Sequence, residues 1–355
     1  MTPHSSQQRM ATPCAGDILS RCRTLVQPAL LTAIDRLHPW LQQMAGFSFG
    51  WCDQQGTPEA KAGMSGKGIR QALAVLSAEA VGGSAEVAVP GAVAVELVHA
   101  FSLVHDDIMD GDEQRRHRVT LWKAYGIGPA LLTGDALLAL AVETLVKIRG
   151  DHTLEAMNHL ATAVTDLACG QAQDIDFETR PWTGANAVAV DEYRAMVDRK
   201  TGSLLRCAAA IGAVLNGGPP PVIRALALMG LHLGRAFQAV DDLLGIWGDP
   251  SITGKPVFSD LRQGKKTFPV LAAINSGTSP GRHLSELLSS RRHLKENLFP
   301  LAAALIEEAG GLHRARQESQ CNLDCALRIL NDAPISSSAA AELAVIARFL
   351  DKRSR

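Results

Sequence analysis

Apolar positions along the chain recur at spacings of three and four rather than two, the period of amphipathic helices. Propensity agrees with the period: Ala and Leu are abundant, and aromatic residues make up 5% of the 355 residues. Breakers punctuate the pattern at "VGGS" (81), "GDEQRRHR" (111), "TRPWTG" (179), "NGGPPP" (216), "GDPSITGKPVFSD" (248), "NSGTSPG" (275) and "NDAP" (331). They and a few weaker breaks bound about ten helices. No run alternates long enough to predict a strand. No break is long or polar enough to be an interdomain linker, and the helices between residues 85 and 248 are apolar over wide faces. The expectation is an all-α fold, a single-domain helix bundle over 16–355 around a central cavity. Residues 1–15 read as a polar, disordered tail with no apolar run of the kind a signal peptide carries.

Charge narrows the function. Lys plus Arg (35) and Asp plus Glu (36) nearly cancel, which excludes binding nucleic acid or anionic membrane through the overall field. Seven scattered cysteines without paired CxxC spacing read as reduced thiols of a cytoplasmic protein. The most apolar stretch, "GPALLTGDALLALAVETLV", is interrupted by Asp135 and Glu143 before the ~18 residues of a membrane span. No transmembrane segment is expected, so charge chemistry has to be local.

It concentrates in "LVHDDIMDGDEQRRHR", where an apolar helix starting near Pro90 runs into acid. At ~100° per residue Asp106 and Asp110 lie about 40° apart and Asp107 and Asp110 about 60° apart, so three carboxylates converge at one helix end. Like charges there oppose the helix dipole and call for a cation. Magnesium fits, because it takes hard oxygen ligands and bridges carboxylates to substrate phosphates. Arg115 and Arg116 follow, with guanidinium forks suited to phosphate. One such cluster is a weak signal, since a charge run is usually a solvated face. A second cluster changes that: "FQAVDD" (237–242) again ends an apolar helix and leads into a glycine-rich loop carrying Lys255, Lys265 and Lys266. A cavity polar at its mouth and apolar below suits a lipid-like diphosphate.

With these residues in place, the chain resembles the trans-polyprenyl diphosphate synthases, short-chain, most like geranylgeranyl diphosphate synthases. "DDIMD" followed by Arg-Arg is similar to the family's first aspartate-rich motif, and "GKGIRQALAVL", "ELVHAFSLVHDD", "LLTGDALLALA", "GQAQDIDFE", "RKTGSLL" and "FQAVDDLLGIWGDPSITGKP" follow in the family's order. The resemblance covers roughly residues 60 to 270. It implies the class I isoprenoid synthase fold, usually as a homodimer, and head-to-tail condensation of isopentenyl diphosphate with an allylic diphosphate by ionisation, condensation and elimination. It further implies Mg²⁺, three ions with substrate bound, coordinated by Asp106, Asp110, Asp174 and Asp241, with Asp107 and Asp242 in or beside the shell. Arg115, Lys200 and Lys255 would bind the allylic diphosphate, Lys67, Arg70, His99 and Arg116 that of isopentenyl diphosphate, and Lys265, matching the family's last lysine, would also bind substrate. Oxygens of Thr201 and Gln238 and the Lys200 main chain would face the allylic cation, and Phe101 would floor the pocket. The expected product is geranylgeranyl diphosphate, with farnesyl diphosphate next.

Departures are visible. Gly245 stands where the family commonly has a third Asp, and Asp249 is the nearby carboxylate that could hold metal-bound water in its place. Two other readings share parts of the pattern. A class I terpene cyclase also uses DDxxD but carries an NDxxSxxxE type second motif, absent here. A non-catalytic partner subunit of a heteromeric synthase is the direction in which Gly245 leans.

Overall fold

The computed structural model describes residues 14–59, 68–115, 117–254, 256–289 and 294–351. Lys67, Arg116 and Lys255 lie outside the described residues. Helices dominate, as the period predicts. They outnumber the breaker-bounded segments because weaker stops divide them: Gly126, at φ 94, ends Leu121–Tyr125 and opens Ile127–Val146. The first helix, Ala15–Ile34, already includes the residue placed last in the polar tail.

Three helices are buried almost all round and form the centre: Ile69–Ala80, Val89–Met109 and Ser203–Leu215. Their small residues, Ala72, Ala74, Ala92, Ala94, Ala208, Ala209 and Ala210, are fully buried and let the backbones approach closely. Helices Thr153–Thr179 and Pro220–Trp247 pack against them, and Gly311–Asp332 packs on Pro220–Trp247. A second apolar cluster, including Ile246, Val270, Leu284 and Ile306, continues from the end of Pro220–Trp247. A third, around Phe177, Tyr193, Phe268 and Leu271, sits between the two carboxylate-bearing regions.

The expectation of no strand needs one correction. Gln114–Arg115 and Arg118–Val119 pair antiparallel, and Cys52 bridges Pro58. Pairs this short carry no alternation to read. Arg118 ties the hairpin down, donating to Glu59 at 2.6 Å and to the Cys52 carbonyl at 2.9 Å. None of the seven cysteines is in a disulfide. Among the described residues two helices, Ala85–Met109 and Ile127–Val146, are apolar enough by length and composition to cross a membrane. The first is mostly buried in the protein; the second keeps an apolar face outward.

Candidate active site

Val89–Met109 reaches its last turn with Asp106, Asp107 and Asp110 on different sides. The expected convergence of three carboxylates divides. Asp107 is 5% exposed and accepts from Arg115 Nε at 2.7 Å, so that pair holds the hairpin against the helix end. Burial alone would pull Arg115 down, but Asp107 and Asp106 push it up, so it stays charged. Asp106 and Asp110 face the other way. Burial raises the Asp106 carboxyl above its ordinary value, opposed by the nearby Lys200, Arg115 and Lys265. Asp110 accepts from Lys265 Nζ at 2.9 Å.

A third acidic wall comes from Thr153–Thr179. Asp174 accepts from Lys200 Nζ at 2.5 Å and lies 3.8 Å from Lys265 Nζ; Glu178 is 3.7 Å from the same nitrogen. Burial works against the Lys265 charge, yet Asp110 and Asp174 more than offset it and raise its proton affinity. Lys200 sits in a single π-turn, Asp198–Gly202, a distortion that often marks a functional site. Gly170 lets this turn close in: a Cβ there would lie 2.2 Å from Lys200 N.

The second acid-tipped helix, Pro220–Trp247, meets the first through the segment after it. Gln263 donates to Asp112 at 3.0 Å, Lys265 to Asp110, and Phe268 N to Asp242 at 2.9 Å. Asp242 is 2% exposed and also accepts from the Tyr193 hydroxyl at 2.5 Å and Gln238 Nε2 at 3.0 Å; burial pushes its carboxyl up to about 6. Thr201 Oγ1 donates to Gln238 Oε1 at 2.6 Å. Asp241 is exposed, about 100° round the helix from the buried Asp242.

The remaining expected residues are placed as follows. Arg70 opens Ile69–Ala80, and His99 is half-buried on the adjacent Val89–Met109; the two helices are joined where Gln71 N donates to Glu96 at 3.2 Å. Phe101 is half-buried, edge-on to His105 at 4.7 Å. Ser102, one turn below Asp106, is buried and turns its hydroxyl back to the His99 carbonyl. Asp249 is the N-cap of Pro250–Thr253, accepting from Ser251 N and Oγ at 2.8 Å. The space at Gly245 is taken by another carboxylate, since a Cβ there would lie 2.1 Å from Asp260 Oδ2. Gly245→Asp is therefore expected to destabilise the fold by about 2 kcal/mol or more, through overlap and like charge, measured by urea denaturation.

The roles of four features escape the sequence pattern. Tyr193 is one. The π-turn is another, because nothing in "DRKTG" separates it from ordinary helix. Gln171, 6% exposed and one turn before Asp174, has both amide atoms buried without a hydrogen-bond partner. Such a group costs ~1–3 kcal/mol unless something completes it, so the wall is built for a polar occupant. Lys266 is the fourth: it is buried with Nζ 3.9 Å from the centroid of the Trp182 ring, and burial pushes it down to about 8. Glu178 and the Trp182 face offset part of that cost. Below pH 8 folded and unfolded chains both carry this proton and the burial penalty stands. Between about 8 and 10.5 only the unfolded chain keeps it, so wild-type stability should gain over that window. Lys266→Met is expected to lose the gain, checked by thermal unfolding at about pH 7 and pH 9.5.

Among the described residues no three acidic, His or Cys side chains close into a ready metal cage. The donors fit a hard divalent cation nonetheless. Magnesium is commonly held by one or two carboxylates with waters and substrate phosphates, and here Asp110 and Asp174, from separate helices, share Lys265. An all-α bundle whose buried helices end in carboxylates and lysines at one mouth defines a class of enzyme that handles anionic substrates with an apolar part.

The comparisons supply the family. Residues 59–304 match the polyprenyl synthetase family model. The chain is 42% identical over 339 residues to a (2E,6E)-farnesyl diphosphate synthase of Mycobacterium bovis, covering 95% of this chain and 92% of the relative. It is 40% identical over 317 residues to a geranylgeranyl diphosphate synthase of Mycobacterium tuberculosis, covering 89% of each. A crystal structure of a polyprenyl synthetase from Streptomyces coelicolor A3(2) superposes with a TM-score of 0.87 at 46% identity, over 95% of this chain and 99% of that one. The chain belongs to the polyprenyl synthetase family and is a prenyltransferase.

Proposed function

We propose that the chain joins isopentenyl diphosphate head-to-tail to an allylic diphosphate and releases geranylgeranyl diphosphate. The observation that carries the reading is the meeting of Asp106, Asp110, Asp174, Lys200 and Lys265 at one mouth, beside the Thr201–Gln238 pair.

Asp106, Asp110, Asp174 and Asp241 would hold Mg²⁺; Asp107 instead keeps Arg115 in place. When bound, the metal neutralises charge on the diphosphate and so favours its departure. Lys200 and Arg115, with Lys255, bind the allylic diphosphate and stabilise the charge it gains as the carbon–oxygen bond ionises. Arg70 and His99, with Lys67 and Arg116, bind the diphosphate of isopentenyl diphosphate. Thr201 and Gln238 present oxygen to the allylic cation. After the new carbon–carbon bond forms, the released diphosphate takes the proton.

Product length follows depth. Small, buried Ser102 leaves room one turn below Asp106, and Phe101 limits it further down. Phe101→Ala is expected to lengthen the product by about one five-carbon unit, since a helical turn spans about 5.4 Å; mass spectrometry of the products checks this. Incubating the purified chain with Mg²⁺, isopentenyl diphosphate and allylic primers of different length tests the whole reading. Hydrocarbon or alcohol products would indicate a cyclase, and no turnover by the chain alone would indicate a partner-dependent subunit.

The chain would act as a homodimer. Gly128, Leu132, Asp135, Ala139, Val142 and Val146 form an outward stripe along Ile127–Val146 at spacings of three and four, continued by Leu154 and Ile175 on Thr153–Thr179. That is the seam a second copy of the same helix covers about a two-fold axis. Val142→Arg is expected to halve the mass in light scattering.

A further inference from the structure

Gln238 can serve a cation only if its carbonyl oxygen, and not its amino group, faces the reacting carbon. A side-chain amide has two ends of opposite polarity, and its partners decide which one points where. Thr201 cannot decide, because a hydroxyl both donates and accepts. The other partner can. Asp242 receives the Tyr193 hydroxyl at 2.5 Å and Phe268 N at 2.9 Å on Oδ2, and Gln238 Nε2 at 3.0 Å on Oδ1. A carboxylate accepts only, so the amino end of Gln238 must turn to it and Oε1 must turn away, to Thr201 at 2.6 Å.

We propose that Tyr193 is a positioning residue for prenyl transfer, locking the Asp242 carboxylate so that Gln238 presents its oxygen to the developing cation. Tyr193 itself is 4% exposed, on Val190–Val197, with its ring 6.3 Å from that of Phe268. It acts from behind the site wall. Its hydroxyl is one of two donors on Oδ2, and the other is backbone, which fixes a point but not the plane of the carboxylate. With the hydroxyl gone the carboxylate can turn about its last bond, and the Gln238 amide loses its fixed acceptor. The deduction rests on the prenyl-transfer reading above, since it needs a cation for Gln238 to face.

The test is a double-mutant cycle of Tyr193→Phe and Gln238→Ala, with kcat and KM measured for both diphosphates. Wild-type turnover of isopentenyl and allylic diphosphates is the control: its failure would sink the prenyl-transfer reading, whereas the cycle judges Tyr193 alone. Tyr193→Phe should lower kcat by about tenfold and leave both KM values within about twofold, as expected for an interaction used in the transition state. In the Gln238→Ala background it should add less than about twofold, because residues acting through one another are not additive. Unchanged kcat, a loss confined to KM, or fully additive losses would each overturn the proposal. If the Phe variant does not fold, 4-fluorophenylalanine at 193 fills the place of the hydroxyl without donating. A roughly tenfold loss of kcat there with KM retained supports the hydroxyl's role, and near-wild-type kcat overturns it.

Discussion

Asp106→Asn is expected to lower kcat by about a thousandfold, measured as isopentenyl-dependent product formation at saturating allylic diphosphate and Mg²⁺. Burial already raises the cost of charge at this carboxyl, and Lys200, Arg115 and Lys265 are what keep the charged form in play. At a half-buried site, one charge acts on a cation with less screening than in water. Asparagine keeps the shape and removes the charge. A near-normal Tm with turnover lost therefore assigns the effect to electrostatics, and a kcat within about tenfold of wild type would remove Asp106 from the metal set.

Lys265→Met is expected to cost both stability and turnover. Its side chain is 14% exposed, and its ammonium bonds Asp110 at 2.9 Å and faces Asp174 and Glu178. Removing one partner of a buried ion pair typically costs about 3–5 kcal/mol, read here as the change in unfolding free energy in urea. Burial already raises Glu178 against the pull of Lys265, and without that pull its proton affinity should climb further. Added Mg²⁺ is expected to restore more of the Tm in the variant than it adds to wild type, because the ion would answer the same carboxylates. An unchanged Tm in its absence would mean that water already satisfies them.

Much of the molecule is legible in the chain. Helical period, sparse aromatics and well-placed breakers lead to an all-α bundle, because a helix advertises its buried face at every third or fourth position. The acidic ends of two apolar helices are equally visible, since charge beside a long apolar run has few structural reasons. Direction is harder. Asp107 differs from Asp106 by one position, about 100° of helix, and that turn pairs it with Arg115, while Asp106 lies toward Lys200. Asp249 has the right spacing to serve the second cluster and caps Pro250–Thr253, while Asp260 reaches the space at Gly245 from a different helix.

By itself the sequence determined the fold class, the order of its segments and the residue types available for anionic chemistry, because those depend on local period and composition. Only the tertiary structure decided which carboxylates share a lysine, which amide faces Thr201, and that Tyr193 stands behind it. Those choices are made by contacts between residues far apart in the chain, where the helix packing sets distance and direction and no local pattern records either.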